Sequence, residues 1–340
     1  MINNLEELCR LNGASGDEAR VREYINAHIK ADEVITDNLG NLLVFKKGRK
    51  TPKNKIMFAA HMDEVGFMIT DISTDGFLSF GAVGGINPDV AVGRAMRVES
   101  ADGDIFGVVG TKAIHQQSKD ERAKMPSLDE MYLDIGATSK EEAETLVRRG
   151  NYAYFDADFF KFGDGFIKGK AIDDRAGCLI MMDMINGVPE YDAWYAFTVQ
   201  EEIGTRGAKA AAFTVAPDIA IVLETTTACD IAGVSGGKKV CELGKGAVVS
   251  FMDRSTVYDR ALYDLAFETA KANGIAVQTK TQIAGGNDSG SIHVSRGGVR
   301  TCAVSVPCRY LHSPSCVIKE TDYLAVKALA EKMLSAVAEL

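Results

Sequence analysis

The sequence predicts an α/β protein, with a mixed, mostly parallel sheet sandwiched by helices and a small β-rich domain inserted into it. Three observations carry that expectation. Short continuous apolar runs, of the kind that form strands buried on both faces, alternate with stretches at helical spacing. Glycine is frequent, 33 of 340 residues against 7 prolines, which supplies the tight turns such a sheet needs. Between about Gly66 and Asp164 the texture changes to short strands broken by glycine turns, after which the alternation resumes. The expected division is therefore 1–65 with 165–340 as one domain and 66–164 as the insertion. A chain of this length exceeds what one core usually accommodates.

Ser15 and Glu18 have capping-box spacing, and Val21, Ile25 and Ile29 follow at helical spacing, so an amphipathic helix is expected over 15–30. Residues 41–46 and 55–60 read as strands, the second ending at His61. Within the insertion the Ala101-Asp102-Gly103 turn separates two strands, and Ser139 with Glu142 caps a helix running through Leu146. Beyond it come a helix over 173–185, a strand over 194–199, a helix over 205–213 and a buried strand over 219–223. A strand over 247–252, a helix over 260–272, a strand over 301–306 and a helix from about Asp322 complete the pattern. Strands alternating with helices argue for a two-sided, mostly parallel sheet.

Composition narrows the function. Lys and Arg number 38 against 47 Asp and Glu, a net charge of −9, so there is no basic footprint for nucleic acid or an anionic membrane. No apolar run reaches the length of a bilayer span, and the opening lacks the basic and apolar regions of a signal peptide, which predicts a cytoplasmic location. Seven scattered cysteines without a C-x-x-C pair disfavour a disulfide framework or structural zinc.

In open α/β sheets ligands bind beyond the carboxyl ends of the strands. Five such places carry polar residues: His61-Met62-Asp63, Asp173-Asp174, Glu201-Glu202, Glu224 and His312. Each carboxylate follows or faces an apolar run, and burying so many acids without a cation is costly. Two imidazoles with several carboxylates suit zinc or a neighbouring first-row metal. On an extended backbone Glu201 and Glu202 would point to opposite faces, giving one ligand and one base. A metal pair with a nearby carboxylate suits amide hydrolysis.

Other chemistries fit less well. Gly233-Val234-Ser235-Gly236-Gly237 matches the spacing of a nucleophile elbow, but it leads into KKVCELGKG rather than a helix, and so reads as a glycine loop. Glu201 and Glu202, adjacent and facing opposite ways, do not suit a pair of carboxylates flanking a glycosidic bond. No phosphate-binding glycine motif occurs.

The segments AAHMDEVGF (59–67), KAIDDRAG (170–177), VQEEIGTRGA (199–208), GGNDSG (285–290) and RYLHSP (309–314) together resemble the M42 family of metallo-aminopeptidases, relatives of the TET and glutamyl aminopeptidases. The resemblance runs from end to end, with the insertion in the family's place. It implies a zinc-peptidase-like catalytic domain that removes N-terminal residues from peptides with two divalent metal ions, zinc first, with cobalt or manganese as alternatives. By the same resemblance His61 binds one metal and Glu224 completes that site. Asp173 bridges both, and Glu202 and His312 complete the second. Glu201 is the general base and Asp63 orients His61, while Asp174 is a helix-start residue. The insertion corresponds to the family's dimerisation domain, whose dimers build a hollow homododecamer. Glu224 stands where the family usually has aspartate, and Asn287 where threonine is commoner. The longer Glu224 keeps two alternatives in view: a related deacylase or carboxypeptidase, or a catalytically silent shell protein.

Overall fold

The computed structural model describes residues 2–340, which form two compact units. The first comprises the chain up to Asp63 with Phe159–Leu311 and Ser315–Leu340; the second comprises Glu64–Asp158 with His312–Pro314. The first unit opens with α1 (Ile2–Arg10), α2 (Ala19–Ala27), β1 (Glu33–Thr36), β2 (Leu42–Lys46) and β3 (Ile56–His61). The second holds strands β4 (Gly66–Ile72), β5 (Leu78–Val83), β6 (Ala95–Val98), β7 (Ile105–Thr111), β8 (Met131–Asp134) and β9 (Tyr152–Phe155), with helices α3 (Lys119–Arg122) and α4 (Lys140–Leu146). The first then resumes with β10 (Phe160–Phe162), β11 (Phe166–Gly169), α5 (Ile172–Asn186), β12 (Ala193–Thr198), α6 (Arg206–Val215) and β13 (Ile219–Thr227). It ends with β14 (Ala247–Val249), α7 (Arg260–Ala272), β15 (Val277–Thr279), α8 (Ser289–Ile292), β16 (Arg300–Cys308), β17 (Cys316–Lys319) and α9 (Glu320–Ala338).

The main sheet is eight-stranded, in the order β1-β2-β12-β3-β13-β16-β14-β15. Its centre, β12-β3-β13-β16, is parallel, and β1, β2 and β14 make the antiparallel pairs toward the edges. Side chains of successive residues leave a strand on opposite faces, and the packing shows it. Ile56, Phe58 and Ala60 of β3, with Ile219, Ile221 and Leu223 of β13, join the core that includes α5, α7 and α9. Met57, Ala59, Ala220 and Val222 join the core on the other face with Ala208, Ala211 and Ala212 of α6. Burial on both faces explains why these strands are continuous apolar runs rather than alternating ones. A three-stranded sheet, β10-β11-β17, completes the unit.

In the second unit the six strands close into a barrel, β4-β5-β8-β7-β6-β9, around Phe67, Ile69, Leu78, Met96, Val98, Leu133 and Phe155. Gly103 turns the β6–β7 hairpin at φ +112, and Ser139 accepts the Glu142 N–H at 3.2 Å to start α4. Closure removes the sheet edges that short strands would leave open. Among the described residues no helix is long and apolar enough to cross a membrane.

One expectation is corrected. The helix after Gly16 begins at Ala19, not Ser15, with Glu18 at its N-cap. Ser15 Oγ donates instead to Asp63 Oδ2 at 2.6 Å, a bond between residues 48 apart that outcompetes the local cap.

Arg175, in α5, is the largest fully buried side chain among the described residues. Its Nε donates to Met62 O (2.8 Å) and its Nη1 to Leu8 O (2.7 Å), tying the end of β3 and the end of α1 to the helix that follows Asp173-Asp174. Arg175→Ala should cost about 2–5 kcal/mol, since it leaves buried carbonyls without their donor at about 1–3 kcal/mol each. Chemical denaturation would show this as a lowered midpoint at constant slope.

Candidate metal centre

Register brings the candidate residues into one row. Thr198 of β12 pairs with His61 of β3, and Val222 of β13 pairs with Ala59, so Glu224, within β13, stands level with the residues that end β3 and β12. Asp173 and Asp174 reach the same row from the entry to α5, where both have non-helical dihedrals, and the regular helix follows them.

His61 is buried, with 2% of its surface exposed. Its Nδ1 lies 3.0 Å from Asp63 O, an orientation that would keep a proton on Nδ1 and leave Nε2 to a metal ion. Nε2 lies 3.2 Å from Asp173 Oδ1 and 3.4 Å from Glu224 Oε1. Two overlapping groups of candidate ligand atoms share His61: His61 with Asp173 and Glu202, and His61 with Asp174 and Glu224. Within each group the ligand atoms lie within 4.8 Å of one another.

Asp63 does not contact only the histidine. Its Oδ1 accepts the Glu201 N–H at 3.0 Å, and its Oδ2 accepts the Glu202 N–H at 3.1 Å and the Ser15 hydroxyl. The segment carrying both glutamates is therefore a turn beyond the end of β12, with Gln200 at φ +56. The expectation of an extended backbone with opposed side chains is corrected, because Asp63 gathers two successive N–H groups that a strand would point apart.

Asp174 plays two parts. Its Oδ1 caps the helix by accepting the Gly177 N–H at 2.9 Å, and Oδ2 is buried without a hydrogen-bond partner. A Cβ on Gly177 would sit 2.4 Å from that Oδ2, so only glycine leaves room for the carboxylate. The helix-start role expected from the motif is present, and the second oxygen adds Asp174 to the cluster. Asp288, in the GGNDSG segment, has no site role in the sequence-based expectation. Its Oδ2 accepts from the Thr198 hydroxyl at 2.5 Å, and burial pushes its carboxyl up to about 6. An acid in a glycine-rich loop gives no sign of burial until the fold supplies the apolar surroundings.

His312 falls in the second unit, where Nδ1 lies 2.8 Å from Gly85 O. The Gly233–Gly237 motif forms a loop that ends in a single 3-10 turn, Gly236–Lys239, and no strand-to-helix elbow is present there.

The electrostatics test whether the donors fit a cation. Burial raises the carboxyl of Glu224, with Asp173 adding to it, to about 8. Burial and Glu224 push Asp174 well up, and burial, Glu224, Asp288 and Glu202 push up Glu201 against the pull of His61. Burial alone would depress His61, but Glu224, Asp173 and Asp63 outweigh it and hold its imidazolium well above the ordinary range. Acids that suppress one another's ionisation would gather surplus negative charge if all ionised, which a bound cation would offset. The orphaned Asp174 oxygen, the Nε2 of His61 facing two carboxylates and the oxygen-rich donor set fit divalent metal ions, which would take the place of the imidazolium proton.

Comparison with known proteins agrees with this chemistry. The sequence model described as M42 glutamyl aminopeptidase matches residues 40–329. The chain is 40% identical to a protein of Acetivibrio thermocellus over 97% of this chain and 98% of that one. Its structure is similar to a TET aminopeptidase from a marine sediment archaeon of the Thaumarchaeota, with TM-score 0.93, 32% identity, and coverage of 99% of this chain and 97% of the other. It is also similar to the Pyrococcus horikoshii TET1 peptidase, described as assembling into a tetrahedron or a large octahedral shell. That pair has TM-score 0.86 and 33% identity, over 97% of this chain and 98% of the other.

Proposed function

The chain belongs to the M42 family of peptidases, and from that premise we propose that it is a two-metal aminopeptidase with Glu201 as its general base. The observation that carries the reading is the buried His61 Nε2 facing Asp173 and Glu224, with the Glu201-Glu202 turn pinned to the same Asp63 that orients the imidazole. His61 and Glu224 would hold one ion, Glu202 and His312 the other, and Asp173 both. Zinc is the ion we propose, with cobalt or manganese accepted by the same donors. Glu224 reaches the cluster despite standing in place of the family's aspartate, which favours a working first site over a silent shell.

The bound ions would supply Lewis-acid polarisation of the scissile carbonyl and acidify the attacking water. Glu201 takes the proton of that water on its carboxylate and passes it to the nitrogen of the leaving amine. Its raised proton affinity, set by burial beside other acids, makes it a stronger base than an exposed glutamate. Asp63 keeps the His61 ring in one orientation and holds both glutamate backbones at a fixed reach. Deep burial of Asp63 and His61 excludes water from the bonds that do this.

The second unit exposes Phe106, Val108, Ile114 and Met125, apolar side chains that a lone unit would normally hide. They support self-association through the insertion, with dimers building a homododecamer like the shells of the TET relatives.

Chromogenic aminoacyl substrates with free and N-acetylated amines test the activity. Free-amine substrates should be cleaved and their blocked counterparts left intact. Cleavage of the blocked series would replace the reading by a deacylase, and cleavage of neither would leave a shell protein.

A further inference from the structure

The segment after β12 is shaped almost wholly by side chains. Four consecutive backbone N–H groups each donate to a side-chain oxygen. Val199 donates to Asn41 Oδ1 (3.0 Å), Gln200 to Glu18 Oε1 (3.0 Å), Glu201 to Asp63 Oδ1 (3.0 Å) and Glu202 to Asp63 Oδ2 (3.1 Å). The carbonyls of the same stretch close onto the start of α6, with Gly207 N–H to Val199 O (2.9 Å) and Thr205 N–H to Glu201 O (2.8 Å). A Cβ on Gly207 would lie 2.3 Å from Asn41 Oδ1, so this packing leaves no slack. Gln200 sits in the left-handed region at φ +56, which a residue with a Cβ adopts only when its surroundings impose it.

Glu18 is the acceptor at that left-handed residue. It is 4% exposed, and the same Oε1 accepts the Gly16 N–H at 2.8 Å, which fixes the carboxyl from its own backbone side. Asn41 is fixed in turn, its amide donating to Asp37 Oδ2 and Gly207 O. The sequence between Ser15 and Glu18 thus spends its capping chemistry on the loop of the glutamate pair, Ser15 through Asp63 and Glu18 through Gln200.

We propose that Glu18 is a positioning residue for the peptidase reaction: by holding the Gln200 N–H it sets the backbone from which Glu201 reaches the attacking water. This rests on the assignment of Glu201 as base. Glu18 bonds to the backbone before Glu201, whereas Glu202 keeps its own bond to Asp63, so the loss of Glu18 should appear chiefly in turnover. Gln keeps an acceptor oxygen at the same reach, whereas Ala removes it.

The test measures kcat, KM, bound metal per chain and thermal midpoint for Glu18→Ala, Glu18→Gln and Glu201→Gln in one assay. Expected are a fall in kcat of about 10- to 100-fold for Glu18→Ala, with KM within about twofold and metal content unchanged, and recovery of most of that loss in Glu18→Gln. Should Glu18→Ala not fold, Glu18→Asp, which withdraws the oxygen by one methylene, takes its place with the same expectation. Wild-type kcat in Glu18→Ala, or Glu18→Gln as impaired as Glu18→Ala, overturns the proposal while an inactive Glu201→Gln leaves the base assignment standing. An active Glu201→Gln overturns both.

Discussion

Glu201→Gln should retain its full complement of metal and lose about 10²- to 10⁴-fold in kcat, the range that a positioned general base contributes. The substitution preserves volume and leaves the backbone N–H bonded to Asp63, so neither the turn nor the proposed ligands should move. What disappears is the proton acceptor. Burial, with Glu224, Asp288 and Glu202 nearby, raises the proton affinity of the carboxylate that is lost. Metal analysis alongside steady-state kinetics separates this from a ligand defect. Turnover near wild type would show that another group accepts the proton.

Asp173→Ala should have the opposite signature, losing metal and activity together. Asp173 Oδ1 lies 3.2 Å from Nε2 of His61, and Asp173 is the proposed bridge between the ions. Removing a direct ligand should weaken binding by more than the roughly 10- to 100-fold typical of an outer-shell change. Excess metal in the assay should therefore restore turnover only partly, and metal content after dialysis should fall. Full occupancy with lost activity would move Asp173 from ligand to some other role.

Much of this was legible because strand ends are legible. The buried run before His61 and the one before Glu224 are continuous and apolar, and in a parallel sheet such runs terminate at a common edge, so the polar residues after them had to meet. The capped helix at Ser139 was legible for a local reason, since cap and N–H are three residues apart. What failed involved partners distant in sequence. Ser15 and Glu18 carry the letters of a capping box, but the oxygens that would cap a helix bond as well to Asp63 and Gln200, and only the fold brings those within reach. The turn at Gln200 was hidden for the same reason: a left-handed glutamine has no sequence signature when its surroundings impose the conformation. Closure of the inserted strands into a barrel depends on the pairing of β4 with β9, separated by the whole insertion. The second role of Asp174 was masked because one carboxylate oxygen satisfied the obvious reading and the other did not announce itself.

The most direct measurement is turnover of a free-amine aminoacyl substrate by metal-stripped protein as zinc, cobalt or manganese is titrated back. The account predicts no turnover in the stripped protein and a rise that saturates at two ions per chain. Full turnover by the stripped protein, or metal uptake at this site with no turnover from any ion, would contradict it.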